Sequence, residues 1–319
     1  MDDVSVVDYH TAGEPFRIVT SVEIPGASVA DRRVTAQRSA AIDAVRQLLV
    51  NEPRGHADMY GGFVVPADDD GADFGVVFWH KDGYSTACGH GTIALATWAL
   101  DTGLVQGPEV TIDVPSGRVT ARVDAARGVA FRNVPSYVLR RQVPVPTARG
   151  DVLADISYGG AFYASVPASA LGLSVTPACY TELIAAGRSI KWALDSSAVH
   201  PSDPRLSGLY GTILYDDLGD GADGPHQRNL AVFADGEADR SPCGSGTSAR
   251  LALLHDEGRL RVGQTLRHDS IVGTTFLGRV VSQTPDGVIT EVTGSAYRTG
   301  TATFSLDPRD PLGTGFTLR

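Results

Sequence analysis

The sequence predicts an α+β protein of two similar domains, and three observations carry that reading. At 319 residues the chain has room for two cores, since domains usually take about 100–200 residues. It also repeats itself once: residues 77–103 match 232–258 without a gap, at the offset that separates Cys88 from Cys243. Val77 falls on Val232, Phe78 on Phe233, Gly89 on Gly244, Gly91 on Gly246, Thr92 on Thr247, Asp101 on Asp256 and Gly103 on Gly258. A single long repeat signals duplicated domains rather than a solenoid. Finally, what remains of each half is rich in short strand-like runs.

In chain order, residues 20–24, 63–65, 74–78, 110–114, 118–123 and 163–166 read as strands, followed by 212–215, 230–233, 274–281 and 287–292. The aspartate- and glycine-rich stretches 68–73 and 216–224 read as solvated hairpin loops. Residues 126–138 are expected to join the halves. Each repeat then places Cys-Gly-x-Gly-Thr before a helix-compatible segment closed by glycine: 93–102 before Gly103, and 248–257 before Gly258. The helix start falls at or just after the cysteine. Apolar residues cover most faces of 93–96 and 251–254, so both helices are expected to be central and buried. A third helix-like stretch, 177–186, carries Cys179.

Composition narrows the function classes. Hydrophobic residues make up 42% and charged residues 20% of the chain, ordinary globular usage that fits neither wholesale disorder nor a membrane protein. With 37 acidic against 27 basic residues the formal charge is −10, which repels phosphate backbones and anionic lipid; no nucleic-acid or membrane partner is expected. No apolar run approaches the ~18 residues of a spanning helix. The acidic start Met1-Asp2-Asp3 is the reverse of a signal peptide. Three scattered cysteines read as reduced thiols, so the expected location is cytoplasmic.

Two cysteines at two helix starts suggest acid–base chemistry. A thiol there faces unpaired N–H groups and the positive end of the helix dipole, which can bring its pKa from ~8.5 to ~3.5–7.5. A lone intracellular cysteine is usually a small buried hydrophobe, and Cys179 keeps that reading. For Cys88 and Cys243 the flanking glycines recur with the thiol in both copies, and those glycines also leave backbone N–H groups open to a small anion such as a carboxylate. One thiolate taking an α-proton and one thiol returning a proton to the opposite face would invert that carbon. The N–H groups would hold the developing enediolate charge, with no metal and no cofactor. The chain has only two lysines, Lys81 and Lys191, neither in a motif suited to a pyridoxal Schiff base.

Other readings compete. Residues 89–94 and 244–249 both satisfy G-x-G-x-x-[GA], the dinucleotide pattern, but neither lies in a convincing βαβ unit ending in an acidic residue. That reading also gives no reason for a cysteine before each first glycine. Cys88, His90 and Cys243 could in principle meet at one ion, yet the C-x₂₋₄-C spacing of structural zinc is absent. A pure binding module would keep the glycines without needing thiols.

At these residues the sequence resembles the proline racemase family, which includes proline racemase, 4-hydroxyproline 2-epimerase and trans-3-hydroxyproline dehydratase. The resemblance spans nearly the whole chain. It rests on His10-Thr11-Ala12-Gly13-Glu14-Pro15, Cys88-Gly89-His90-Gly91-Thr92, Tyr158-Gly159-Gly160-Ala161-Phe162-Tyr163-Ala164, and Asp239-Arg240-Ser241-Pro242-Cys243-Gly244-Ser245-Gly246-Thr247. It implies a diaminopimelate-epimerase-like architecture: two pseudo-symmetric domains, each a sheet curled around a central helix, with the active site in the cleft between them. Residues 1–130 and 307–319 would form the domain carrying Cys88, and 136–306 the domain carrying Cys243. The family's two bases map onto Cys88 and Cys243. Its substrate-carboxylate contacts map onto Gly89, His90, Gly244 and Ser245, and its contact to the ring nitrogen onto Asp239. Read without the resemblance, His90 could be a helix-start residue facing solvent and Asp239 a turn or capping residue. Ala12, Ala87 and Ser245 depart from the usual glycine, methionine and threonine.

The implied partner is a small cyclic amino acid; a homodimer is left open. Family dehydratases typically carry threonine at the second cysteine position. Retention of Cys243 therefore favours racemisation or 2-epimerisation of proline or 4-hydroxyproline. Gly83-Tyr84-Ser85-Thr86, before Cys88, looks more like the dehydratase branch, so elimination of water from trans-3-hydroxy-L-proline stands as the alternative.

Overall fold

In the computed structural model, which describes residues 2–318, the chain divides into two units, Met1–Val129 with Ser295–Arg319 and Ala130–Gly294. Met1 and Arg319, the outer ends of the expected first domain, lie outside the described residues.

In the first unit, strand Ala296–Phe304 pairs antiparallel with Val4–Thr11, which turns back into Glu14–Val19. Ala12 (φ 52°) and Gly13 (φ 98°) make that turn in the left-handed region. Glu14–Val19 runs parallel to Tyr60–Val65, the next step to Phe74–His80 is antiparallel, and Phe74–His80 then meets Glu109–Val114 in parallel. Gly117–Val123 closes the series. Parallel neighbours need crossovers. Helices α1 (Val29–Arg38) and α2 (Ala40–Val50), capped by the hydroxyls of Ser28 and Ser39, occupy the first crossover. Helix α3 (Gly89–Asp101) occupies the second and is buried on every face from Gly89 to Ala99, as its all-round apolar sequence requires.

The second unit repeats this grammar. Strands Tyr137–Val145, Val152–Tyr158 and Phe162–Pro167 form an antiparallel series. Phe162–Pro167 then runs parallel to Leu209–Asp220, across a crossover that holds α4 (Tyr180–Leu194). Pro225–Phe233 follows antiparallel and meets Thr265–Ser270 in parallel, across a crossover that holds the buried α5 (Gly244–Asp256). Thr275–Thr284 and Gly287–Gly294 continue the sheet, and Gly287–Gly294 also pairs with strand Val129–Arg132. The two parallel steps fall at corresponding places in both units, so the duplication legible at the cysteines extends through the whole strand order.

Several expectations need correction. Residues 20–24 are not a strand: pairing ends at Val19, and Pro25-Gly26 follow. Ile24 is buried in the first-unit core from an irregular segment, with Val22 packed against it. The acidic stretch 216–224 is mostly strand, since Asp216 and Asp217 pair with Arg228 and Gln227 and Arg259 reaches Asp217 at 2.6 Å. Residues 295–306, expected with the Cys243 half, belong with the first unit because Ala296–Phe304 is hydrogen-bonded to Val4–Thr11. The stretch 177–186 begins with one 3₁₀ turn and runs on as helix to Leu194. Among the described residues no helix is long and apolar enough to cross a membrane.

Candidate active site

Cys88 is the N-cap of α3, with extended backbone (φ −154°), and its sulfur accepts the N–H of Gly91 at 3.2 Å. Its carbonyl accepts from the hydroxyl and the N–H of Thr92, at 2.8 and 3.0 Å. The His90 ring returns to the same sulfur, with Nδ1 at 3.4 Å. His90 does not face solvent: it is buried, its ring edge-on to Phe16 and Tyr60 with centroids 5.7 and 5.0 Å away. The N-terminal motif supplies this support, because Phe16 follows Glu14-Pro15 and the Thr11 hydroxyl donates to the His90 carbonyl at 2.8 Å. A side chain at position 91 would not fit; a Cβ there would lie 2.4 Å from the Phe16 ring and 2.8 Å from the Cys88 sulfur. Gly89 and His90 open the helix, where backbone N–H groups lack partners within the helical ladder.

Cys243 precedes α5 differently. Its φ of 62° is left-handed, a conformation that costs a non-glycine residue roughly 1–2 kcal/mol. The surroundings hold it there. Its N–H donates to the Ser241 hydroxyl at 3.1 Å, and both the N–H and the hydroxyl of Ser241 donate to one oxygen of buried Asp239, at 2.8 and 2.7 Å. The Pro242 carbonyl accepts from Asn229 at 3.0 Å, and that of Cys243 accepts the Thr247 N–H at 2.7 Å. The Cys243 thiol points at the Tyr163 hydroxyl, 3.7 Å away, which lies 2.7 Å from the Ser245 hydroxyl.

Electrostatically the Cys243 thiol departs from the expectation of an acidified helix-start sulfur. Burial pushes its pKa well above the ordinary thiol value, and the Asp239 carboxylate pushes the same way; the Tyr163 hydroxyl and the Gly246 N–H oppose them. Desolvation of the sulfur anion is the largest effect here, so Cys243 rests as a protonated acid. Cys179 differs from its expected reading too. It is partly exposed at the start of α4, and hydrogen bonding from Ser174 holds its thiol below the usual value.

The structure thus gathers Cys88, Gly89 and His90 at the start of α3, and Asp239, Cys243, Gly244 and Ser245 at the start of α5. Four further residues escaped the sequence reading. Thr11, Phe16 and Ser241 lie in or beside quoted motifs, and Tyr163 lies inside 158–164 without a chemical signature of its own. Only the fold brings Tyr163 to a thiol that is far away along the chain.

Comparison with known proteins identifies the family and the fold. The model of the family described as Proline racemase matches residues 6–317. A trans-3-hydroxy-L-proline dehydratase of Burkholderia ambifaria is 46% identical over 333 residues, covering 99% of this chain and 98% of the relative. A 3-hydroxyproline 2-epimerase of Burkholderia multivorans is 45% identical over 338 residues, with the same coverage. Among solved structures, a hydroxyproline epimerase from Agrobacterium vitis with bound trans-4-hydroxy-L-proline superposes with a TM-score of 0.91 at 31% identity, covering 99% of this chain and 96% of that one. The α+β, diaminopimelate-epimerase-like fold implied by the resemblance is therefore the fold of this protein. Matched from residue 6 to residue 317, and sharing close to half its residues with curated hydroxyproline enzymes, the chain belongs to the proline racemase family.

Proposed function

We propose that this protein is a cofactor-independent 2-epimerase of a hydroxyproline, with Cys88 and Cys243 as its two acid–base groups. The observation that carries the reading is a second thiol, Cys243, at the start of α5, held protonated by burial and by Asp239. Cys88 takes the α-proton, and the electron pair of the broken C–H bond passes into the carboxylate. Cys243 delivers its proton to the opposite face of Cα. Backbone N–H groups of Gly89, His90, Gly244 and Ser245 are assigned to the substrate carboxylate, where charge develops, and Asp239 to the ring nitrogen. The names of the relatives favour a 3-hydroxylated ring over proline itself. Both thiols must stay reduced, which suits a cytoplasmic location.

A second reading is favoured by the dehydratase names among those relatives. In it Cys88 removes the same α-proton and returns it to the 3-hydroxyl, which leaves as water from the same ring face while the C2–C3 double bond forms. One experiment separates the two: incubation with trans-3-hydroxy-L-proline in D2O. The expected product is the 2-epimer with deuterium at Cα. A cyclic imine without epimer overturns epimerisation in favour of elimination; neither product from any hydroxyproline isomer overturns both.

A further inference from the structure

The pair of hydroxyls beside Cys243 has no role in the reaction as written above. Tyr163 comes from strand Phe162–Pro167, is buried, and packs with Cys243, Ala161, Ile213, Ala231 and Ala249 in one cluster. Its hydroxyl touches the Cys243 sulfur at 3.7 Å and the Ser245 hydroxyl at 2.7 Å. A phenol and an aliphatic hydroxyl can each donate one proton and accept others. With Cys243 as thiol, S–H donates to Tyr163, and Tyr163 donates to Ser245. With Cys243 as thiolate, Ser245 donates to Tyr163, and Tyr163 donates to the sulfur. Both states keep the Cys243–Tyr163 and Tyr163–Ser245 hydrogen bonds, with only hydroxyl protons turning.

We propose that Tyr163, backed by the Ser245 hydroxyl, is a positioning residue for the Cys243 proton: it lets one buried sulfur serve as acid and, after giving up its proton, exist as a hydrogen-bonded anion. The inference deepens the two-thiol reading and rests on it for its catalytic meaning. Such a device is needed because burial and the Asp239 carboxylate both oppose the anion. The cluster residues from strands Leu209–Asp220 and Pro225–Phe233 are the apolar Ile213 and Ala231, with the phenol Tyr210 edge-on to Tyr163 at 5.7 Å. Tyr215 borders the cluster and lies under the Arg250 guanidinium, while Asp239 contributes a negative charge. The Gly246 N–H helps, but a single backbone donor is fixed and cannot accept from the thiol.

The test is the pH dependence of iodoacetamide alkylation, read separately at Cys243, Cys88 and Cys179 by peptide mass spectrometry, in the wild type, Tyr163→Phe and Ser245→Ala. Loss of a hydrogen bond to the anion raises the pKa of its acid. Tyr163→Phe is therefore expected to move the Cys243 midpoint up by about one pH unit while the other two stay in place. Ser245→Ala is expected to move it the same way by less. In turnover by Tyr163→Phe, the alkaline limb of kcat/KM should rise with the Cys243 midpoint and KM should change little. A Cys243 midpoint that stays or falls overturns the proposal, as does a uniform change at all three thiols, which would mark general loosening. If no hydroxyproline is turned over by the wild type, the two-thiol reading fails, and alkylation still decides what Tyr163 does to Cys243.

Discussion

Cys88 and Cys243 share a sequence grammar but occupy different physical states. Cys88 caps its helix in ordinary extended backbone, with a backbone N–H and the His90 ring against its sulfur. Cys243 sits in the left-handed region with its thiol buried beside a carboxylate. Serine at either position keeps approximate shape and loses the acidity that a thiol offers near neutral pH. Cys88→Ser and Cys243→Ser are each expected to lower kcat for epimerisation by about 10²–10⁴-fold, measured by polarimetry. Full activity in either variant would remove that cysteine from the mechanism. The two should differ in α-proton exchange: Cys243→Ser retains exchange of label at Cα from one epimer, because Cys88 still removes that proton, and Cys88→Ser loses it. Here the sequence identified the residue types and their spacing. It did not identify the charge state of Cys243, because desolvation depends on neighbours such as Asp239 and Tyr163 that the fold supplies.

At the scale of the element, α3 and α5 were legible because all-round apolar sequence and a closing glycine both mark buried helices with defined ends. Their first turns were legible only in part. Gly91 and Gly246 are equivalent in sequence, yet an added methyl at Gly91 would meet the Phe16 ring at 2.4 Å, whereas at Gly246 the closest atom is the Cys243 sulfur at 2.9 Å. Gly91→Ala is therefore expected to lower stability by about 1–3 kcal/mol in denaturant melts, despite alanine's better helix propensity. Gly246→Ala should cost less, yet lower activity by about 10- to 100-fold through displacement of the thiol. Equal effects of the two substitutions on stability would contradict the packing described. The strand reading failed at 20–24 and at the loop reading of 216–224 for a related reason. Residues such as Ile24 can be buried without pairing, and aspartates such as Asp217 can sit in a ladder when an arginine from elsewhere faces them.

On the scale of the molecule, burial of ionisable groups ties stability to pH. His268 is buried within the second unit and bonded through Nδ1 to the Thr247 hydroxyl at 2.8 Å. Burial, assisted by the Arg250 charge, lowers its pKa from 6.5 to about 3. Between those values the unfolded chain binds a proton that the native state refuses, so stability present above pH 6.5 is lost as pH falls through that window. The loss at pH 5 is about 2 kcal/mol. Thermal melts from pH 7 to 5 should show it, and His268→Gln should flatten the slope; an unchanged slope would show that His268 does not carry it. By itself the sequence determined the duplication, the two thiols at helix starts and the family, because these are written in local spacing and motif order. Tertiary structure alone decided that residues 295–306 complete the first unit, that Cys243 keeps its proton, and that Tyr163 stands against it. Strand partners and the loss of water around a sulfur are set by residues far apart along the chain, which no local pattern specifies.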